Sequence, residues 1–416
     1  MDPEELTAWL RLTLTEGVGN TTARRLLAAF GLPQAIFRQT EAALQACGAS
    51  VAQARALRSE PEVLAARIEA VRQWLALPGA EAGGPARGLV TLGDVRYPRS
   101  LLATEDPPLL LYVMGAPRFV SGECDPFPSS HCLAIVGSRN PTAQGADNAR
   151  QFARALRGAG LGIVSGLALG VDAAAHEGAL DDPGDPSVPA TIAIVGTGLD
   201  RVYPRRNLDL ARRIAQHGLI VSEYSLGTPP LAPNFPKRNR IISGLSQGTL
   251  VVEAALASGS LITARLAAEQ GREVFAIPGS IHAPQSRGCH ALIRQGAKLV
   301  ESVQDVLEDL RLPANPTGRD ARAAPHGQPA GNAADDTATV DRSGNELARG
   351  SLLAADSASP YADLLAALGF DPVSLDTLQA RTGRDTAGLQ VALLELELEG
   401  SVARLPGGWF QRVGSA

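Results

Sequence analysis

The sequence predicts an α/β protein built on a doubly wound, mostly parallel sheet, with a small helical module before it and a winged helix after it. Three observations carry this reading. First, short unbroken apolar runs alternate with helical stretches: Leu133–Val136, Gly162–Val164, Thr191–Val195, Leu219–Val221, Leu250–Val252 and Val274–Ile277, with Lys298–Val300 as an edge. Runs without polar alternation are strands covered on both faces, and intervening helices are the crossovers that parallel pairing needs. Second, Leu6, Leu10 and Leu14 have helical spacing and stand ahead of a glycine turn, Gly17-Val18-Gly19. Third, helical periodicity returns over Tyr361–Leu368, Ser374–Thr382 and Thr386–Glu399, followed by two short strands around Gly407-Gly408.

Length and charge bound the possibilities. At 416 residues the chain exceeds one ordinary domain of ~150 residues. Its hydrophobic fraction of 45% is ample for a core. With 38 Lys+Arg against 43 Asp+Glu, the net charge of −5 excludes a chain that coats polyanions indiscriminately, so an anion site must be a local concentration of cations. Lys237 and Lys298 are the only lysines, a bias that genomic base composition explains. Cys47, Cys124, Cys132 and Cys289 form neither a CxxC pair nor a zinc spacing, so reduced thiols are expected and no metal is. Asp2, Glu4 and Glu5 replace a basic leader, and no apolar run approaches ~18 residues. A cytoplasmic protein without membrane contact is the expectation.

In order, residues 1–77 read as the helical module. Asn20 or Thr21 is its candidate N-cap, and GVGNTTARRLL has the pattern of a helix-hairpin-helix that can hold a DNA phosphate, or of a plain helical bundle. Pro78–Pro85 is a linker. Residues 86–311 form the sheet domain, opening on a strand, a turn and a second strand at Leu109–Val113; the Pro- and Ser-rich 117–132 stretch has no interpretation. Residues 312–360 hold no aromatic side chain and are rich in Ala, Gly, Asp, Ser and Pro, the composition of a disordered tether. The winged helix, 361–416, carries Arg381, Arg384, Arg404 and Arg412 against Asp363, Asp371, Asp376, Asp385, Glu395, Glu397 and Glu399. That balance disfavours DNA and favours a protein contact.

The chemistry concentrates where strands end. In open α/β sheets ligands bind outside the carboxyl ends of the strands, at the switch in strand order. Gly137-Ser138-Arg139-Asn140-Pro141-Thr142, Ser165-Gly166 and Gly196-Thr197-Gly198, the last leading to Tyr203-Pro204-Arg205-Arg206, all put small residues before a helix, the recipe for holding a phosphate on backbone N–H groups. Arg139 and Arg205 add fork-shaped donors. Between Glu223 and Glu253 there is no acidic residue, and the loop Phe235-Pro236-Lys237-Arg238-Asn239-Arg240 lies within that window. Cations beside a ring suit a single strand; Phe235 alternatively anchors the loop in the core. GxGxxG and GxxxxGK[ST] are both missing, so no nucleotide cofactor is expected. Asp172 and His176 lie four apart on one helix and read as structural, since nothing completes a metal or catalytic set.

SRNPTAQG (138–145), SGLALGVDAAAH (165–176), GTGLDRVYPRRN (196–207), NFPKRNRIISGLSQGTLVVEA (234–254), GREVFAIPG and GCHALIRQGA together resemble the DNA processing protein A (DprA/Smf) family over residues 5–310. The resemblance implies a SAM-like helical domain, an extended Rossmann-like core and a winged-helix tail. It also implies a non-enzymatic mediator of recombination in natural transformation, or competence, that binds single-stranded DNA, forms a homodimer and loads RecA. The implied DNA-binding residues are Gly137, Ser138, Arg139, Thr142, Ser165, Gly166, Arg205, Phe235, Lys237, Arg238, Asn239 and Arg240. The implied dimer contact is Gly288–Leu299, with His290, Leu292, Ile293 and Leu299. Gln144 stands where the family often has Tyr. GLSQGTLVVEA also resembles the GGxGTxxE signature of nucleotide phosphoribohydrolases, where Glu253 would act chemically; Ser246-Gln247 breaks that signature.

Overall fold

Alternate residues of the strand Cys132–Val136 enter different cores: Cys132, Ala134 and Val136 pack on one face of the sheet, Leu133 and Ile135 on the other. Each buried Val, Leu or Ile among them contributes on the order of 1.5–3 kcal/mol, and both faces need helices to cover them. The structure is a computed structural model and describes residues 2–79, 84–182, 184–310 and 360–413. The chain forms two compact units, Met1–Leu312 and Pro313–Ala416.

Six helices begin the first unit: α1 (Pro3–Leu14), α2 (Asn20–Phe30), α3 (Pro33–Phe37), α4 (Glu41–Ala46), α5 (Val51–Arg58) and α6 (Leu64–Ala76). Trp9, Leu12, Leu26, Ile36, Leu44 and Leu57 make their core. Leu6 and Leu10 of α1 and Val71 and Trp74 of α6 instead join a core of the sheet, where Trp74 meets Tyr112 edge-on at 6.0 Å. The N-cap of α2 is Gly19 rather than Asn20 or Thr21, which lie inside the helix. Gly17 supplies the turn with a φ of +72°, and Gln53 Nε2 donates to its carbonyl at 2.7 Å.

The sheet segment opens with β1 (Ala86–Thr91), α7 (Arg99–Leu102), β2 (Leu110–Gly115) and α8 (Pro117–Val120). It continues through β3 (Cys132–Val136), α9 (Ala143–Gly158), β4 (Gly162–Ser165), α10 (Val171–Leu180), β5 (Thr191–Ile194), α11 (Leu208–His217) and β6 (Leu219–Ser222). Then come α12 (Asn234–Gly244), β7 (Gly248–Val251), α13 (Ser260–Glu269), β8 (Glu273–Ala276), α14 (Arg287–Arg294), β9 (Lys298–Leu299) and α15 (Val303–Asp309). The nine strands are ordered β1-β2-β6-β5-β4-β3-β7-β8-β9. β1, β2 and β6 pair antiparallel; every other pair is parallel. The chain therefore builds outward from β3 in both directions, and the switch lies between β3 and β7. The 117–132 stretch contributes Phe119 and Phe127 to the core through α8 and the turn beyond it.

One expectation is corrected. Phe235–Arg240 is not a loop but the first turns of α12. Pro236 is the third residue of that helix, where an amide has no intrahelical partner and proline costs little. A helix turns about 100° per residue, so its cations diverge instead of forming one patch.

The second unit contains α16 (Ala362–Leu368), β10 (Val373–Ser374), α17 (Leu375–Thr382), α18 (Thr386–Leu398), β11 (Val402–Leu405) and β12 (Trp409–Arg412). Its strands are ordered β10-β12-β11, with Gly407 and Gly408 at positive φ in the wing turn, so it is a winged helix. The 312–360 stretch read as a tether lies outside the described residues, Pro360 excepted, as do residues 80–83 of the linker. Among the described residues no helix is long and apolar enough to cross a membrane.

Candidate functional site

A cavity of about 450 Å³ opens at the β3/β7 switch. Its walls are the ends of β3 (Val136 to Asn140), the first turns of α12 (Phe235, Pro236, Arg238, Asn239) and the Ala257–Ser260 loop before α13. A cleft of about 70 Å³ adjoins it, between Arg139, Gly166, Tyr203, Pro204, Phe235 and Arg238. Of the twelve residues expected at the site, Gly137, Ser138, Arg139, Phe235, Arg238 and Asn239 line the cavity, and Gly166 the cleft. Thr142, Ser165, Arg205, Lys237 and Arg240 line neither.

The cations divide into three kinds. Arg238 is buried at the floor, Nη2 4.0 Å from Asp172 Oδ2, with Nη1 donating to the Ile194 carbonyl. Burial lowers its pKa, against the pull of Asp172. A Cβ on Gly166 would fall 1.8 Å from Arg238 Nη1, so only glycine lets this arginine lie flat under the loop. Arg240, in contrast, is turned away: Nη2 lies 2.5 Å from Glu223 and Nε 3.2 Å from Asp106, with only 11% of the side chain exposed. Its charge is committed to these two ion pairs within the fold. Arg139 is the third kind. It is exposed, makes no ion pair among the described residues, and stands over the Phe235 ring at 5.8 Å. Arg205, Arg206 and Lys237 are exposed on the surrounding surface.

Phe235 packs inward and also lines the pocket. Its ring packs where a Cβ on Gly196 would lie 3.2 Å from it, so it anchors the start of α12. It also lines both cavities and meets Tyr203 at 5.6 Å with a 37° tilt. Tyr203 is 47% exposed and was not singled out for the site; an aromatic in a Pro-containing turn beside two arginines was the available signal.

Several of the strand-end amides are already bonded within the protein, Ser138 N to the Glu253 carbonyl and Gly198 N to the Thr228 carbonyl, and others to side chains. Glu253 Oε2 accepts from Thr142 N at 2.9 Å and Oε1 from Thr142 Oγ1 at 2.5 Å, while Thr142 Oγ1 caps α9 by accepting from Gly145 N at 3.0 Å. A Cβ on Gly145 would sit 2.3 Å from the Glu253 carboxyl carbon. Asp172 Oδ2 accepts from Gly166 N at 3.1 Å and Ala168 N at 3.4 Å, although burial raises its pKa. Asp200 Oδ1 takes Gly227 N at 2.7 Å. Ser165 Oγ donates to the Ile135 carbonyl at 2.6 Å and ties β4 to β3.

His176 is fully buried. Leu167 N–H donates to its Nε2 at 3.3 Å, and Thr191 Oγ1 donates to the Ile163 carbonyl, so the 2.6 Å contact has Nδ1–H donating to Thr191 Oγ1. Burial first, then Arg238, pushes its pKa down to about 3. It is a neutral clamp on Leu167, which adopts a φ of +55°. No group of three or more His, Cys, Asp and Glu side chains that could hold a metal occurs among the described residues.

Away from this pocket, α14 turns Gly288 and Cys289 inward and packs Leu292 and Ile293 partly on the sheet core. His290 Nε2 lies 3.0 Å from the Gly279 carbonyl, and Leu299 on edge strand β9 is 48% exposed.

Residues 88–311 match the family model described as DNA recombination-mediator protein A, and residues 351–408 match one described as DprA winged helix domain. The chain is 40% identical over 372 residues to Protein Smf of Escherichia coli, covering 88% of this chain and 86% of that protein. It is 47% identical over 219 residues to DNA processing protein DprA of Streptococcus pneumoniae, covering 53% of this chain and 73% of that protein. The X-ray structure of DNA processing protein A from Streptococcus pneumoniae matches with a TM-score of 0.59 at 35% identity, covering 74% of this chain and 98% of that one.

Proposed function

The chain belongs to the DNA recombination-mediator protein A family, and from that premise we propose that it is a non-enzymatic protein that binds single-stranded DNA at the β3/β7 switch pocket. The observation that carries this reading is the unpaired Arg139 over Phe235, with Tyr203 beyond it. A single strand offers phosphates for the guanidinium and unstacked bases for the rings; a duplex offers only the first. Arg205, Arg206 and Lys237 extend the attraction outward, and Arg238 gives the pocket floor a fixed donor.

Within that role the protein guards incoming strands during natural transformation and loads RecA on them in the cytoplasm, acting as a homodimer. The exposed Leu299 edge, with His290, Leu292 and Ile293 beside it, is the proposed dimer contact. The phosphoribohydrolase alternative draws no support from Glu253, whose two carboxylate oxygens both hold Thr142 and which does not line the cavity. Binding of a labelled single strand to wild type and to Arg139→Ala tests the reading; equal affinities would move the site elsewhere.

A further inference from the structure

Helix α18 of the winged helix is apolar on two opposite sides. Leu389, Ala392, Leu393 and Leu396 face its own core. Val391, Leu394 and Leu398, at i, i+3 and i+7, form a second stripe that is 58%, 56% and 80% exposed. A helix that is apolar all round belongs in an interior, yet within its unit α18 covers only one face. Exposed Glu395 and Glu397 border the outward stripe on its two sides, and Glu399 caps the helix end. Between Thr386 and Leu398 there is no Lys or Arg.

We infer that the outward stripe of α18 docks an amphipathic helix of a partner protein, one whose apolar stripe is bordered by lysine and arginine. Charge selects this occupant. Duplex DNA is disfavoured, because a groove-reading helix must approach phosphates and the only charges on this one are carboxylates. A second copy of α18 laid stripe to stripe would set Glu395 and Glu397 against like charges. A basic amphipathic helix buries Val391, Leu394 and Leu398 and pairs Glu397 and the remaining oxygen of Glu395, whose Oε2 already accepts from the Tyr361 hydroxyl. The anchors at i, i+3 and i+7 are those of paired amphipathic helices.

The test uses the full chain and fluorescence anisotropy of a labelled Leu/Lys amphipathic peptide and its Leu/Glu counterpart. The Leu/Lys peptide should bind saturably and the Leu/Glu peptide at least tenfold more weakly. Leu394→Ser with Leu398→Ser should weaken Leu/Lys binding at least tenfold without moving the unfolding midpoint. Glu395→Lys with Glu397→Lys should invert the preference between the peptides. Absence of Leu/Lys binding, equal binding to the serine variant, or an unchanged preference after charge reversal would overturn the proposal. So would self-association of the wild type, or duplex binding by it, that the serine variant abolishes; either would assign the stripe to a second copy or to DNA.

Discussion

The guanidinium carbon of Arg139 lies 5.8 Å from the centre of the Phe235 ring. The uncommitted cation of the pocket and its aromatic wall are thus one unit, delivered from opposite sides of the topological switch by β3 and α12. Arg139 is exposed above a floor where Arg238 and Asp172 lie 4.0 Å apart, and Arg205, Arg206 and Lys237 are exposed in the segments next to the lining residues Pro204 and Pro236.

Arg139 and Arg240 should separate cleanly. Arg139→Ala is expected to weaken single-strand binding about tenfold and to reduce the magnitude of the log–log salt slope by about 1, with no change in stability. Arg240→Ala leaves Glu223 buried without its partner and should cost roughly 3 kcal/mol of stability, while the folded fraction still binds. Urea melts and anisotropy titrations on both variants check this; the reverse pattern would mean the two arginines have been assigned the wrong way round.

The aromatic pair supplies the preference for unstacked bases. Tyr203→Ala should cost about 1–3 kcal/mol of single-strand affinity at unchanged stability, because its ring is half exposed. Phe235→Ala should lose affinity and stability together, since the ring also packs against Gly196. Tyr203→Ala with full affinity would remove stacking from the account.

His176 imposes an acid limit on the fold. Its pKa is about 3 in the folded chain and about 6.5 in the unfolded one, so below pH 6.5 the unfolded state gains a proton that the native state refuses. Stability is full above that pH and falls as pH drops. Between pH 7 and 5, still above most carboxylate titration, wild type should lose roughly 2 kcal/mol more than His176→Gln. Urea midpoints at the two pH values measure it, and parallel losses would contradict a neutral buried imidazole.

Much of the fold was legible in the sequence, and the reasons are local. Helix Leu208–His217 follows from its apolar period and closing Gly218, and the strands of the parallel core follow from unbroken apolar runs. The first turns of α12 were not legible, because Pro236 and a run of cations mask the helical period until Ile241. The divergent fates of Arg238, Arg240 and Lys237 follow from the helical turn. The Thr142–Glu253 link spans 111 residues and exists only because β3 and β7 are neighbours. Spacing alone left Glu253 open between brace and catalyst.

Glu253→Gln tests that brace. The amide can accept from Thr142 N but not satisfy Thr142 Oγ1–H as well, so about 1 kcal/mol of stability should go. Single-strand affinity should be retained, and no release of free base from nucleoside monophosphates should occur in wild type. Base release abolished by Glu253→Gln would restore the enzymatic alternative.

The central claim is a phosphate-and-stacking site for single strands, and the salt dependence of binding to single-strand and duplex probes tests it most directly. With about four phosphates neutralised, the log–log slope for the single strand should be roughly −3, and the duplex should bind at least about tenfold more weakly. A flat salt response, or equal affinity for the two probes, would contradict it.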